Sequence, residues 1–126
     1  MERYKVDNNF IEYEQVYVDS IFNIPIVDKS GNVLARAILT QNVRQDTPGK
    51  FSEVVILTDI IVYDPNDRGK GLGDKIMGFI TSCGRFEKIV TGISTKAGRE
   101  LCLKWGFKYD FIKEKKFLIW EKKNDT

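Results

Sequence analysis

The residues best suited to chemistry in this sequence form a short run of cations and glycines near its middle. Arg68 and Lys70 alternate with Gly69, Gly71 and Gly73. Glycine lets the backbone approach a ligand closely and adopt angles that are closed to other residues, so several N–H groups can converge on one anion. The two cationic side chains add positive charge beside those N–H groups. The run therefore predicts a loop that binds phosphate.

A strand and a helix are predicted to position this loop. Residues 53–63 form a nearly continuous apolar run, interrupted by Thr58 and Asp59, which is typical of a strand in the centre of a sheet. After the loop, apolar residues recur at helical spacing and predict a helix over residues 71–83 that ends at Gly84. The N-terminus of that helix would direct the positive end of its dipole at the same anion.

Two common nucleotide-binding motifs do not match the loop. The dinucleotide-binding motif is Gly-x-Gly-x-x-Gly, whereas these glycines occupy every second position. A P-loop ends in Gly-Lys-Ser/Thr, whereas Gly73 is followed by Asp74. Taken alone, the glycines leave open a strand-to-helix turn without a ligand.

Two segments resemble the motifs of the GCN5-related N-acetyltransferases. Motif A of that family is Arg/Gln-x-x-Gly-x-Gly/Ala, and residues 68–73 match it. Motif B is a helix that ends in Gly-Phe, and residues 97–107, Ala-Gly-Arg-Glu-Leu-Cys-Leu-Lys-Trp-Gly-Phe, are similar to it. The two motifs occur in the family's order, and the resemblance covers residues 24–120. It implies an α/β (α+β) fold, in which a mixed, mostly antiparallel twisted sheet is flanked by helices.

The resemblance also implies a co-substrate, acetyl-coenzyme A (acetyl-CoA), and a reaction. In the family, the motif A loop binds the pyrophosphate of acetyl-CoA, and the central strand opens a cleft for the pantetheine arm. Backbone N–H groups near Ile61 would polarise the thioester carbonyl while an amine attacks it. The implied function is an N-acetyltransferase that acts on an amine of a protein, a small molecule or another macromolecule. The implied coenzyme-binding residues are Ile60, Ile61, Val62, Arg68, Gly69, Lys70, Gly71, Leu72, Gly73 and Thr95.

The catalytic residues depart from the family's usual pattern. An attacking amine must lose a proton to a base, and the departing thiolate gains from a proton donor. Where the family often has a glutamate, this sequence has Leu57, so the nearby Asp59 is the predicted base; the alternative is a strand-end carboxylate bonded to a loop. Cys102 replaces the tyrosine that usually serves as the acid and is the predicted acid, the alternative being a small buried apolar cysteine. Tyr63 and Tyr109 are further candidates for that role.

The N-terminal region is short for this family. Family members usually place two helices between the first strands to build the acceptor pocket, and the segment before Pro25 has room for about one. Phe10, Tyr13 and Tyr17 recur at helical spacing, and a helix is favoured there over the strand that alternating residues also suggest. We therefore expect an open acceptor site, suited to a large partner such as a protein lysine or a nucleic acid.

The remaining elements are predicted from local patterns. A hairpin is expected from residues 25–28 and 33–40, and a polar loop from residues 41–52. The later predictions are a strand over residues 88–92, a helix from a cap at Ser94 or Thr95 through Trp105, and a terminal hairpin of residues 107–112 and 116–121. The order strands, helix, strand, helix, strands fits a mixed sheet.

Composition limits the classes of function. The length of 126 residues predicts one domain, residues 1–126, and the hydrophobic and charged fractions of 42% and 30% are ordinary for a globular protein. Histidine is absent and the two cysteines lack metal-type spacing, so we expect no metal and no histidine-dependent nucleophile. No apolar run is long enough to cross a bilayer and the first residues lack a signal-peptide pattern. We therefore expect a cytoplasmic protein, monomeric or homodimeric, without a membrane partner.

Positive charge is concentrated in the second half of the sequence. Residues 1–63 hold 6 Lys and Arg against 9 Asp and Glu, whereas residues 64–126 hold 14 against 9, which suits an anionic ligand. Two alternatives to the enzyme stay open: a protein of this fold that binds without catalysis, and a coenzyme-dependent modifier or binder of nucleic acid. The second would use C-terminal lysines interleaved with Trp105, Phe107 and Tyr109. The competing interpretation of that pattern is a hairpin with charged side chains outward and aromatic side chains inward.

Overall fold

The computed structural model describes residues 2–16, 21–47, 50–92, 95–112 and 115–123, and side chains over 3–13, 21–41, 55–92, 95–111 and 115–123. Within these ranges the chain forms eight β-strands and two α-helices. The strands are β1 (Glu2–Val6), β2 (Asn9–Val16), β3 (Ile21–Val27), β4 (Val33–Thr47), β5 (Lys50–Val62), β6 (Lys88–Thr91), β7 (Lys108–Ile112) and β8 (Lys115–Glu121). The helices are α1 (Leu72–Ser82) and α2 (Lys96–Lys104), and a 3₁₀ turn (Pro65–Asp67) precedes α1.

All eight described strands belong to one sheet, in the order β1-β2-β3-β4-β5-β6-β8-β7. Every neighbouring pair is antiparallel except β5 and β6, which are parallel. Two consecutive parallel strands need a crossover connection, and α1 supplies it. The predicted fold class, a mixed and mostly antiparallel sheet flanked by helices, is confirmed.

Helix α1 covers one face of the sheet and builds the core there. On β4, Ala35, Ala37 and Leu39 are fully buried at alternate positions, and they share a core cluster with Ile76 and Met77 of α1. The two alanines are small, so the helix can lie close to the strand. Each large apolar side chain that is fully buried contributes about 1.5–3 kcal/mol to folding.

Helix α2 is fixed to the first turn of α1. A Cβ atom on Gly73 would lie only 2.9 Å from Leu101 Cδ2, so the bare backbone of Gly73 lets the two helices meet. The Asp74 carboxylate forms an ion pair with Lys104 Nζ at 2.8 Å and accepts a hydrogen bond from Trp105 Nε1 at 2.9 Å. The Lys104 ammonium, and after it the Trp105 N–H, lowers the pKa of Asp74 below its ordinary value. The start of α1, which follows the loop, is therefore held in place by its contacts with α2.

The helix predicted before Pro25 is wrong, because β2 and β3 occupy the described part of that segment. Ile11 and Tyr13 are buried, whereas Phe10 and Glu12 are only partly buried, which is the alternation of a strand. Strand β2 pairs with both β1 and β3. This pairing and the burial of one face outweigh a weak local helical spacing. Tyr17, which contributed to that prediction, lies outside the described residues.

The polar loop predicted over residues 41–52 is wrong for most of its length. Strand β4 continues to Thr47, β5 begins at Lys50, and the two strands remain paired up to these residues. An antiparallel ladder joins backbone groups, so a polar sequence can continue it. Residues 48 and 49 lie outside the described residues.

The predicted hairpin of β3 and β4 and the predicted cap of α2 are confirmed. Asp28 closes the hairpin, since its carboxylate accepts hydrogen bonds from the N–H groups of Ser30 and Asn32, each at 2.9 Å. The Asn32 N–H is the main reason that the pKa of Asp28 lies below its ordinary value. Thr95 caps α2 by accepting a hydrogen bond from the Gly98 N–H at 3.2 Å. The later strands and helices lie within a few residues of their predicted positions.

Candidate functional site

The sheet opens between its two parallel strands. Strand β5 pairs with β6 only through Val55 and Ile56. Just beyond this pairing, the buried Thr91 of β6 donates a hydrogen bond from Oγ1 to Leu57 O at 2.9 Å. Residues 58–62 of β5 continue past the end of β6, and no described strand pairs with them on that side. We call this opening the split; its edge offers backbone N–H and C=O groups to a ligand.

The backbone of β5 determines which amides face the split. Tyr63 N–H donates to Leu34 O of β4 at 3.2 Å. Because N–H directions alternate along a strand, the Ile61 N–H also faces β4, and the N–H groups of Ile60 and Val62 face the split. The amide that could polarise a carbonyl in the split therefore belongs to Ile60 or Val62, one residue to either side of the predicted Ile61.

The glycine loop lies between the 3₁₀ turn and α1 and presents free amides. Gly69 and Gly71 adopt positive φ values of 81° and 79°, which favour glycine, and the space where their Cβ atoms would lie is empty. Among the described residues, no acceptor bonds the N–H groups of Gly69, Gly71, Leu72 and Gly73. The last two belong to the first turn of α1, where helical geometry leaves amides unbonded. The arrangement suits an oxyanion.

The two cations of the loop contribute through their side chains only. The Arg68 N–H donates to Pro65 O and the Lys70 N–H donates to Asp67 O, so these amides are already bonded within the turn. Lys70 Nζ lies 3.3 Å from Asp67 Oδ1, in an exposed ion pair. Such pairs contribute about 0.2–1 kcal/mol, so the ammonium can turn toward a bound phosphate at little cost.

Asp59 is exposed beside an irregularity in β5. Thr58 is the extra residue between the pairs Ile38–Asp59 and Leu39–Leu57, and its Oγ1 donates to Ile38 O at 2.8 Å. Both Thr58 and Asp59 are exposed. Asp59 forms no side-chain hydrogen bond or ion pair with the residues that the structure describes. A carboxylate beside the split is thus available to a ligand, and it is not bonded to a described loop.

Cys102 is on the face of α2 that packs into the core, and it has no exposed surface. Burial raises the pKa of its thiol to about 11. The thiol stays protonated, but its position within the core cluster favours the packing interpretation over a role as the acid. Tyr63 and Tyr109, the other candidates, are both exposed.

A cavity of about 480 Å³ adjoins the C-terminal end of β6. It is lined by Thr91, Gly92, Arg99, Tyr109, Lys116, Phe117 and Leu118. Lys116 Nζ lies 4.0 Å from the centre of the Tyr109 ring. Tyr109 is 44% exposed and Phe111 67% exposed, whereas Phe107 is buried. The terminal hairpin therefore does not turn all its aromatic side chains inward, as one interpretation of the sequence required.

Two residues of the central strands are absent from the sequence-based predictions. Thr91 bridges β6 to β5 beside the split, and Arg36 of β4 lies opposite Ile61, on the other side of β5. The sequence offers a weak signal for both, since each is a polar residue within an apolar run. Their placement depends on strand register, which the sequence pattern does not provide.

Among the residues that the structure describes, no three His, Cys, Asp or Glu side chains come close enough together to hold a metal ion. Neither of the described helices has the length and apolar composition needed to span a membrane.

Comparison with solved structures identifies proteins of the same fold. The chain aligns with the KacTA–DNA complex with a TM-score of 0.64 and 13% identity, over 80% of this chain and 67% of that chain. AtaT complexed with acetyl-methionyl-tRNAfMet aligns with a TM-score of 0.60 and 13% identity, over 80% and 71% of the two chains. A mutant AtaT toxin, bound to acetyl-CoA and the C-terminus of the antitoxin AtaR, aligns with a TM-score of 0.59 and 14% identity, over 80% and 68%.

Scans of the sequence against protein-family models and against curated proteins give no match. At identities of 13–14%, the similarity to the solved structures shows a shared fold. One of these three solved structures contains acetyl-CoA.

Proposed function

We propose that this protein is an N-acetyltransferase that transfers the acetyl group of acetyl-CoA to an amine. The observation that carries the proposal is that the split and the free amides of the glycine loop belong to one stretch of chain, since the split borders the last residues of β5 and the loop follows that strand. A pantetheine arm needs an extended edge of backbone, and a pyrophosphate needs converging N–H groups. The solved complex of a protein of this fold with acetyl-CoA supports the same ligand.

In this proposal the N–H groups of Gly69, Gly71, Leu72 and Gly73 bind the pyrophosphate. Arg68 and Lys70 add charge through their side chains, and the ion pair of Lys70 with Asp67 opens when the phosphate binds. The backbone groups of Ile60 and Val62, which face the split, hold the pantetheine arm, whereas those of Ile61 are directed at β4. Thr95 is assigned to the coenzyme site because it caps the start of α2, close in sequence to the end of β6.

Asp59 is the proposed base. The amine nitrogen attacks the carbonyl carbon of the thioester, a C–N bond forms and the C–S bond breaks. The proton of the amine passes to the Asp59 carboxylate, directly or through water, and the thiolate of coenzyme A takes up a proton from solvent. The N–H of Ile60 or Val62 stabilises the oxyanion that forms on the way. Cys102 has no part in these steps, because it has no exposed surface.

Calorimetry and a turnover assay test the proposal. We expect acetyl-CoA to bind and S-acetylpantetheine, which lacks the pyrophosphate, to bind far more weakly. Release of free coenzyme A in the presence of a panel of amines then measures transfer. Equal affinity for the two thioesters would contradict the role of the loop, and tight binding without transfer to any amine would indicate a protein that binds without catalysis.

A second candidate is transfer to an amine carried by a nucleic acid. The exposed Tyr109 and Phe111 and the cations Arg99 and Lys116 around the cavity form a surface on which a base could stack and a phosphate could bind. Two proteins of this fold were solved with nucleic acid, one with DNA and one with an acetylated aminoacyl-tRNA. Binding of tRNA that falls steeply with salt and weakens in Tyr109→Ala would support this candidate. Salt-independent or absent binding would remove it.

A further inference from the structure

Arg36 is a cation in the middle of the sheet with an unsatisfied hydrogen-bond donor. Its Nε is buried and has no hydrogen-bond partner among the described residues. The guanidinium carbon lies 6.0 Å from the centre of the Tyr63 ring. A buried donor without an acceptor destabilises the protein, so a ligand that supplied an acceptor to Nε would bind more tightly by removing this free-energy cost.

Arg36 shares a face of the sheet with the proposed base. Arg36 pairs with Ile61 and Ile38 pairs with Asp59, and directly opposed residues of antiparallel strands point to the same face. Arg36 and Asp59 are thus diagonal neighbours, about 7–8 Å apart at their backbones. No ion pair joins them in the described part of the chain, because the Arg36 side chain extends toward Tyr63, on the other side of Ile61.

Helix α1 does not cover this face. Ala35, Ala37 and Leu39 alternate with Arg36 and point to the opposite face, where α1 covers them. Strand β2 ends at Val16 and β3 begins at Ile21, so only residues 17–20 connect them. Glu12 of β2 is engaged with Arg3 at 3.8 Å. A positive group on β4 and a negative group on β5 therefore stand apart on one face, and β5 is the strand that borders the split.

We propose that this pair selects a zwitterionic acceptor: Arg36 binds a carboxylate of the acceptor while Asp59 binds its amine. The ligand class is a free amino acid, in which an amine and a carboxylate lie a few bonds apart. A guanidinium binds a carboxylate through two parallel hydrogen bonds, and one of them would satisfy the buried Nε. A phosphate fits less well, since its second negative charge would be repelled by Asp59. The proposal rests on the proposed acetyl transfer and specifies its acceptor.

Matched pairs of substrates test the proposal. Each pair consists of an amino acid and the amine left when its carboxylate is removed, for example phenylalanine and phenethylamine. We expect the wild-type protein to acetylate the amino acid with a kcat/KM about 10- to 100-fold higher, the range expected from hydrogen bonds to a charged group. In Arg36→Met this preference should disappear, because kcat/KM for the amino acid should fall more than kcat/KM for the simple amine. Arg3→Met, which removes another cation of the same face, should keep the preference.

The affinity for acetyl-CoA, measured on each variant by calorimetry, shows whether the variant is folded and whether the proposed function holds. Calorimetric titration of the amino acid in the presence of coenzyme A measures acceptor binding without turnover. Equal kcat/KM values for the two members of every pair, an equal loss of both in Arg36→Met, or no binding of any amino acid would overturn the zwitterion proposal. Transfer to simple amines or to aminoacyl-tRNA under those outcomes would leave the acetyltransferase proposal intact.

Discussion

Replacing Gly71 by alanine tests the glycine loop most directly. At φ +79° an alanine costs about 1–2 kcal/mol relative to its favoured conformations, although the space around a Cβ there is empty. The loop relieves this strain if φ changes sign, and that change turns the neighbouring N–H groups away from the anion. Each hydrogen bond to a charged group contributes about 1.5–3 kcal/mol, so the loss of one weakens acetyl-CoA binding roughly 10- to 100-fold.

Gly31 provides a matched control for this substitution. It lies in the β3–β4 turn with φ +86° and, like Gly71, has nothing within 4 Å of a Cβ position. Gly31→Ala should therefore lower stability to a similar extent without changing the affinity for acetyl-CoA. Thermal unfolding measures the first quantity and calorimetric titration the second.

The comparison of the two variants decides the outcome. If Gly71→Ala is destabilised as much as Gly31→Ala yet binds acetyl-CoA as tightly as the wild type, the loop amides do not hold the pyrophosphate. The reasoning from backbone geometry to the ligand would then be refuted, whatever the protein binds elsewhere.

Three further predictions concern single side chains. Asp59→Asn should lower kcat at least 10-fold with little change in acetyl-CoA affinity, and unchanged turnover would exclude Asp59 as the base. The pKa of Cys102 is higher in the folded protein than in the unfolded chain. Relative to Cys102→Ala, the wild-type protein should therefore lose roughly 3 kcal/mol of unfolding free energy as pH rises from about 9 to about 11. Parallel pH profiles of the two proteins would contradict the burial of Cys102. Asp74→Ala should lower Tm by leaving the Trp105 N–H without its acceptor, and because the pKa of Asp74 is lowered in the folded state, its contribution should be lost as pH falls below about 4.

The local sequence predicted the elements that depend on near neighbours. Asp28 with Ser30 and Asn32 closes a hairpin through bonds within five residues, and Thr95 caps the helix that begins immediately after it. The loop at Gly69 and Gly71 was likewise predicted, since positive φ is a property of the residue type. These features could be predicted because their partners lie a few positions apart in the chain.

The segment before Pro25 was predicted as a helix and is not one, because its conformation depends on distant partners. Phe10 and Tyr13 have a spacing compatible with a helix, yet pairing of β2 with β1 and β3 makes the segment a strand. Gly73 has a further role that the sequence did not predict, since it permits the close contact with Leu101, a residue of another helix. In each case the deciding contact joins residues that the sequence pattern cannot bring together.

By itself, the sequence determined that a glycine-rich loop with two cations follows a central strand, because glycine and charge act locally. Only the tertiary structure decided which groups are available there: the register of β4 and β5 places Arg36 and Asp59 on the face that α1 does not cover, and the packing of α2 removes Cys102 from solvent. The physical reason is that backbone angles are set by neighbouring residues, whereas burial and strand register are set by contacts between segments far apart in the chain.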